Sequence, residues 1–168
     1  MIRFDLADGR IAFGADPADA DVLRTLVDQF TALLAVTDGA APVGDPALIR
    51  LLPDPMPDDP QESADVRALT QPALIGHKRE NAARVAASLA APGSLEPRDE
   101  LAWLQWLTDI RLVLATRLGI LLDEDEGAST TDAEQAMQWT YHALGAVQSD
   151  LIDALDERDA QAELGAPA

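Results

Sequence analysis

Polar and apolar residues alternate along residues 1–14. Ile2, Phe4 and Leu6 are separated by charged residues, and the alternation returns after a short break. A period of two residues is typical of a β-strand with one buried face. The break contains Asp8-Gly9, which suits a type I′ turn because both of its central residues need positive φ. The pattern therefore predicts a β-hairpin whose apolar face packs on the rest of the protein.

The rest of the chain follows the helical period, with apolar residues three and four positions apart. An acidic residue followed by proline marks several helix starts, because the acidic side chain caps the first turn and proline fits its first position. Pro72 either kinks a longer helix or begins a new one. The predicted helices are a first one from Asp16-Pro17 to Asp38-Gly39, a short one from Asp45-Pro46 to Leu52, one from about Gln61 to Leu69, one from Pro72 to Leu89, one from Glu96-Pro97 to Leu118, and a last one from Thr131 or Asp132 to about Leu155.

The helix that ends at Leu118 is apolar on nearly every side, and it contains Trp103 and Trp106. A helix without a polar face is covered on several sides, so this one is expected at the centre of a bundle. We predict a mostly α-helical fold in a single domain. About four or five helices over residues 16–158 follow the hairpin, and the tail over residues 159–168 is expected to fray.

The charge of the chain is strongly negative and unevenly spread. The 168 residues include 30 acidic and 12 basic side chains, a net charge of −18. Residues 1–66 hold 4 basic and 13 acidic side chains, residues 67–117 hold 7 and 5, and residues 118–168 hold 1 and 12. We favour internal neutralisation of the middle third by its acidic neighbours over a partner surface formed by it. So acidic a protein repels phosphate, which disfavours direct binding of nucleic acid or of anionic membranes.

Several kinds of chemistry lack the residues that they need. The chain has no cysteine and two histidines, which excludes disulfides, thiol catalysis and multi-histidine metal sites. It also lacks the glycine-rich phosphate loops, the zinc-protease motif and the serine-hydrolase elbow. We therefore expect no enzyme, no cofactor and no metal. No signal peptide or membrane-spanning segment is recognisable, so we expect a cytoplasmic protein.

Three basic residues fall on apolar helix faces and need partners. Arg111 lies between leucines of the central helix, and Arg117 lies beside Trp106. A buried arginine stays charged, so each needs a carboxylate, carbonyl groups or a route to water. Lys78 projects from an apolar face and is expected to lie partly buried beside an acidic side chain. We predict structural ion pairs that involve Asp109, Arg111, Arg117 and Lys78, in preference to an anion-binding site.

A candidate partner surface is formed by charged residues outside these faces. The acidic run in the last third lacks the alternating ligands and the glycine of an EF-hand loop, so it is expected to be a solvated turn. His77, Arg79, Glu80 and Arg84 look like a solvated helix face. The candidate surface consists of Arg67, Arg79 and Arg84 together with Asp123, Glu124, Asp125 and Glu126.

One segment of the central helix carries a distinctive string. Residues 106–119 follow the pattern Trp-x-x-Asp-x-Arg-Leu-x-Leu-x-x-Arg-Leu-Gly. This string resembles the signature of an actinobacterial family of unknown function. Further similarity to that family lies in residues 67–70 (Arg-Ala-Leu-Thr), in residues 78–81 (Lys-Arg-Glu-Asn), and in Tyr141, Gln148 and Leu151.

The resemblance implies a cytoplasmic accessory protein, encoded near the ClpS adaptor and cysteine-biosynthesis genes. The family that it resembles is described as an oxidative-stress regulator, which acts with an alternative sigma factor on the transcription of cysteine-synthesis genes. In that description a pair of cysteines senses the redox state. Because this chain has no cysteine, only the partner-binding part of that role can apply to it.

We expect a non-enzymatic regulatory protein that acts through protein–protein interaction, and the resemblance implies a sigma factor or RNA polymerase as its partner. One alternative is an adaptor linked to ClpS/Clp proteolysis. Another is a helical domain that binds a small ligand, or acts on one, with the four ion-pair residues converging on a pocket. The helical stripes and Trp103 or Trp139 would also permit a homodimer, and a monomer would bury them equally well.

Overall fold

The structure is a computed structural model that describes residues 1–36, 44–120 and 131–165. It confirms a mostly α-helical fold with five helices and an N-terminal antiparallel hairpin. Within the described residues no helix is long and apolar enough to cross a membrane. The elements are β1 (Arg3–Ala7), β2 (Arg10–Gly14), α1 (Pro17–Ala35), α2 (Pro46–Leu51), α3 (Pro60–Ala90), β3 (Gly93–Ser94), α4 (Pro97–Arg117) and α5 (Asp132–Gly165).

The hairpin turns where the sequence predicts. Asp8 has φ 51° and Gly9 has φ 75°, as a type I′ turn requires. A two-residue strand, β3, which the sequence pattern does not reveal, pairs with the other side of β2. On the outer edge of β1, the backbone N–H of Phe4 donates to Asp150 Oδ2 of α5 at 2.7 Å. The helix thereby covers a polar group that an open sheet edge leaves unpaired.

Four of the described helices begin with an acidic residue followed by proline. Asp16, Asp45 and Asp59 each accept hydrogen bonds from backbone N–H groups in the first turn of the helix that follows. Glu96 occupies the same position before α4 but makes no such bond. The predicted end of the first helix at Asp38-Gly39 lies outside the described residues.

Pro72 does not end the helix, because α3 runs as one helix from Pro60 to Ala90. Of the two predicted outcomes, a longer helix is therefore the correct one. A proline inside a helix removes one backbone hydrogen bond and costs about 3 kcal/mol. Buried Gln71 and Ile75 hold the chain against the core on both sides of Pro72, and this packing offsets the loss.

Helix α4 lies at the centre of the molecule and packs against α2, α3 and α5. Trp103 and Trp106 are fully buried, and their ring centroids lie 5.9 Å apart at nearly right angles. Phe4 and Phe13 of the hairpin meet Trp103 at 5.4 and 4.8 Å. The hairpin is thus fastened to the central helix by an aromatic cluster. This burial removes Trp103 as a candidate for a dimer contact.

Helix α5 continues to Gly165, past the predicted helix end near Leu155 and into the tail that is expected to fray. Arg158 explains the difference. Its Nη1 donates to both carboxylate oxygens of buried Glu100 in the first turn of α4, each at 2.7 Å. This charge-assisted contact, in which one arginine nitrogen is shared between two carboxylate oxygens, anchors the polar end of α5 to the central helix.

Candidate functional site

The charged residues of α4 bind three different neighbours. Arg117 Nη2 donates to Asp45 Oδ2 at 2.6 Å, which joins the end of α4 to the start of α2. The hydrogen bond from Arg117 lowers the pKa of Asp45, and burial opposes this effect. The same carboxylate caps α2 through the N–H of Ala47 at 2.8 Å. Asp45 therefore has both a charge-dependent role and a capping role.

Lys78 and Asp109 form an ion pair between α3 and α4. Lys78 Nζ lies 2.6 Å from Asp109 Oδ1, and each side chain is 13% exposed. Burial raises the pKa of Asp109, while the hydrogen bond from Lys78 acts in the opposite direction. A raised pKa means that the Asp109 carboxyl group binds its proton more tightly in the folded chain than in the unfolded chain. The contribution of Asp109 to stability therefore falls as pH rises above the ordinary carboxyl pKa.

The pair forms part of an open cavity of about 380 Å³ between α3 and α4, here named the polar pocket. Beside the pair, Asn81 Nδ2 donates to Gln105 Oε1 at 2.7 Å, so a second polar bridge joins the two helices. The two helices thus bring opposite charges and amide groups together at one surface depression. The polar pocket is lined by Leu74, His77, Lys78, Asn81, Leu104, Gln105, Thr108 and Asp109.

Arg111 lies away from the polar pocket, against α5. Its Nη1 donates to Gln148 Oε1 at 2.6 Å, and its guanidinium lies 5.0 Å from the centre of the Tyr141 ring. Gly145 leaves the space that this side chain occupies, since a Cβ there would be 3.3 Å from Arg111 Nη2. Among the described residues Arg111 makes no ion pair. In place of the predicted ionic partner, Arg111 contacts the amide of Gln148 and the aromatic ring of Tyr141.

The arginines of the candidate partner surface contact their own chain. Arg67 pairs with Asp54 at 3.1 Å, and Arg79 Nη2 donates to the carbonyl oxygen of Leu34 at 2.8 Å. Arg84 bridges Glu80 and Asp99. These arginines therefore hold α3 to its neighbours. The other members of that candidate surface, Asp123, Glu124, Asp125 and Glu126, lie outside the described residues.

A different surface stands open, between α1 and α5. An apolar cavity of about 390 Å³, here named the apolar groove, separates the two helices. Trp139 stands beside it with 70% of its surface exposed, and Val22 is 49% exposed. Its apolar lining includes Val22, Leu23 and Leu26 of α1 with Trp139, Ala143, Leu144 and Val147 of α5.

The surroundings of the apolar groove are acidic. Asp19 and Asp150 belong to its lining. Helices α1 and α5 together contain eleven acidic residues and two arginines. A second apolar cavity of about 380 Å³ shares Leu26 with the groove and follows α1 as far as Val36. The open apolar surface therefore extends along most of α1.

A family model described as "Domain of unknown function (DUF2017)" matches residues 1–155. The chain belongs to this family. No curated protein and no solved structure matches the chain. The matched DUF2017 region contains the hairpin, the lining of the polar pocket and that of the apolar groove, so both surfaces belong to the family domain.

The structure brings together two of the four residues for which the sequence predicts ion pairs, Lys78 and Asp109, in the wall of a pocket. Arg111 and Arg117 lie on other sides of α4. In the part of the chain that the structure describes, no three histidine or acidic side chains are grouped to hold a metal. Sequence reasoning missed the apolar groove, because a helical stripe shows which residues are apolar but not which of them remain uncovered.

Proposed function

We propose that this DUF2017 protein is a non-enzymatic regulatory protein that acts through protein–protein interaction, and that the apolar groove receives its partner. The single observation that supports this most directly is Trp139, a large apolar side chain left 70% exposed beside an apolar cavity. Exposed apolar patches next to a concave surface are typical of interaction sites, and tryptophan is enriched among their strongest contacts.

The occupant that fits the groove is an amphipathic helix from a basic protein. The groove lies between two helices, and α1 has 19 residues, which corresponds to roughly 28 Å of helix. A helix laid along such a groove presents apolar residues on one face. Arginines or lysines beside that face would meet Asp150 and the other acidic residues of α1 and α5, whereas Asp19 already pairs with the amino group of Met1 at 2.7 Å. A second copy of this chain would meet repulsion there, because its own charge is −18.

The resemblance noted in the sequence directs the search for this partner. A sigma factor or RNA polymerase subunit in an actinobacterial cell is the first candidate, and the role is then regulation of stress-response transcription without a cysteine switch. An adaptor role beside ClpS in Clp proteolysis is the alternative. The identity of the protein recovered by affinity capture separates them: a sigma factor or polymerase subunits would support the first role, and a Clp ATPase would support the second. In either case recovery at low salt and loss at high salt is expected for an acidic surface that binds a basic partner.

The groove itself is tested with a synthetic amphipathic helix of leucine and lysine, and with its leucine and glutamate counterpart. We expect Trp139→Gln to weaken binding of the basic peptide about tenfold or more, because it removes a central aromatic contact. The matched control is Leu69→Gln, since Leu69 is 82% exposed on α3 and does not line the groove. Binding is measured by fluorescence anisotropy of labelled peptide.

Three outcomes would overturn the proposed surface. Equal losses in both variants would show nonspecific attraction, and equal binding of both peptides would exclude a role for the acidic surroundings. Self-association that depends on Trp139, measured by light scattering over a range of concentrations, would assign the groove to a second copy instead.

A further inference from the structure

The polar pocket between α3 and α4 is a separate surface with its own chemistry. Its two charged members have opposite signs and lie side by side, 2.6 Å apart. Lys78 can donate three hydrogen bonds and Asp109 can accept on two oxygens, and their mutual contact uses one position of each. Both groups therefore retain capacity for a ligand, although both are mostly buried.

The amide bridge beside the pair also retains hydrogen-bonding capacity for a ligand. Asn81 Nδ2 and Gln105 Oε1 bind each other. The side-chain oxygen Oδ1 of Asn81 and the side-chain amide nitrogen Nε2 of Gln105 remain as an acceptor and a donor. The pocket thus offers donors and acceptors in comparable number. Leu74 and Leu104 add apolar wall.

The charge of the pocket restricts the ligand. An anion attracted to Lys78 would be repelled by Asp109 and by a chain of net charge −18. A cation attracted to Asp109 would be repelled by Lys78. A ligand that carries both charges can satisfy both groups, and because its net charge is zero, the field of the whole protein does not repel it.

We propose that the polar pocket is a binding site for a small zwitterion of the α-amino-acid class, with its carboxylate on Lys78 and its ammonium group on Asp109. A short aliphatic side chain of the ligand would lie against Leu74 and Leu104. The cavity volume of about 380 Å³ leaves room for such a molecule.

Three matched probes test the class of ligand by isothermal titration calorimetry. L-valine carries both charged groups, 3-methylbutanoate lacks the ammonium group, and isobutylamine lacks the carboxylate. We expect L-valine to bind with a Kd on the order of 1 mM, since so small a ligand gains few contacts. Each of the other two probes is expected to bind about tenfold more weakly or worse, because it leaves one charge unmatched. Equal binding of all three probes, or no binding of L-valine, would overturn the proposal.

Two variants test the place of binding. The double variant Lys78→Met/Asp109→Leu replaces the pair by apolar side chains of similar size, a change that buried ion pairs often tolerate. It should lose L-valine binding, whereas Arg84→Met/Asp99→Asn, which removes another ion pair between α3 and α4, should retain it. Circular dichroism shows whether each variant is folded.

The exposed wall residue Gln105 gives a variant that does not depend on removal of the ion pair. Gln105→Ala should weaken L-valine binding about threefold or more through the loss of a hydrogen-bonding group. Trp139→Gln should leave L-valine binding unchanged, because Trp139 does not line the polar pocket. Unchanged binding in the double variant and in Gln105→Ala would place the ligand elsewhere and refute the assignment.

Discussion

Three charged residues of the central helix each bind a different neighbouring element. Asp109 binds α3 through Lys78, Arg111 binds α5 through Gln148, and Arg117 binds α2 through Asp45. The side chains point to several sides of one helix, so they cannot converge on one substrate. The residues that carry the resemblance on this helix therefore join it to three neighbouring elements.

Asp45 allows its charge to be tested apart from its capping role. Asp45→Asn keeps a side-chain oxygen for the N–H of Ala47 but loses the ion pair with Arg117. Because the pKa of Asp45 is lowered in the folded chain, the pair stabilises the chain above the ordinary carboxyl pKa and ceases to do so as pH falls through the lowered value. We expect the variant to be less stable by about 0.5–1 kcal/mol at pH 7, a small effect because both side chains are partly exposed.

Urea unfolding of both proteins at a series of pH values from 7 to 3 measures this difference. The difference should become smaller as pH falls below the ordinary carboxyl pKa toward the lowered pKa of Asp45, since protonated Asp45 resembles asparagine. Asp58→Asn, in the exposed loop before α3, is the control and should show little difference at any pH. A difference that stays constant from pH 7 to 3 would assign the effect to the cap and contradict the ion-pair explanation.

At the scale of elements, local sequence signals predict where most elements start but not how far they extend. Asp45-Pro46 and Asp8-Gly9 fix a helix start and a turn through their own backbone geometry. The passage of α3 through Pro72 depends on packing against α1 and α4, which no local pattern contains. The pairing of β3 with β2 and the anchoring of Arg158 by Glu100 also join residues far apart in sequence.

The same limit applies to the candidate sites. The helical position of Lys78 predicts partial burial beside an acidic side chain, and the structure identifies that side chain as Asp109. The apolar groove depends on the spacing between α1 and α5, which their separate hydrophobic stripes do not encode. Trp139 is accordingly compatible with burial or exposure from sequence alone, and the structure leaves it exposed.

The end of α5 provides a test of its anchoring contact. Arg158→Met leaves Glu100, whose side chain is 6% exposed, without its cationic partner. We expect a loss of about 2 kcal/mol, below the usual value for a fully buried pair because Arg158 is itself partly exposed. Chemical denaturation measures the loss, and faster amide hydrogen exchange around Arg158 would show fraying of the helix end.

The double variant Glu100→Gln/Arg158→Met separates the two causes of this loss. It removes the buried charge together with its partner, so it should recover a large part of the stability lost in the single variant. If the single variant is as stable as the original chain, the contact does not anchor α5, and helix propensity alone maintains the end of the helix.

At the scale of the whole molecule, ion pairs neutralise the basic middle third from within. Arg67, Lys78, Arg84 and Arg117 each face an acidic side chain of the same chain. The acidic residues of α5 have few such partners, since Arg158 is the only arginine or lysine on that helix. The excess negative charge of α5 thus lies on a helix that also lines the apolar groove. This placement connects the net charge of the chain with the basic partner proposed above.

This charge distribution predicts opposite effects of salt on the free protein and on its complex. Raising the NaCl concentration from 0.01 to 0.15 M shortens the screening length from about 30 to about 8 Å, which weakens repulsion among acidic residues of the free chain. Its Tm should therefore rise, by roughly 2–4 °C for each kcal/mol of repulsion removed. Binding of the basic peptide to the apolar groove should weaken over the same range, because the attraction is screened as well.

The double variant Asp153→Asn/Asp156→Asn tests whether the acidic residues of α5 cause the response of the Tm to salt. Both aspartates are exposed on α5, and neither has an ion pair among the described residues. The variant should have a higher Tm at low salt and a smaller response to NaCl in differential scanning calorimetry, since part of the repulsion is already absent. A Tm that falls with salt would mean that ion pairs outweigh repulsion in the folded chain. Peptide binding that strengthens with salt would show that apolar contact, without electrostatic attraction, determines recognition at the groove.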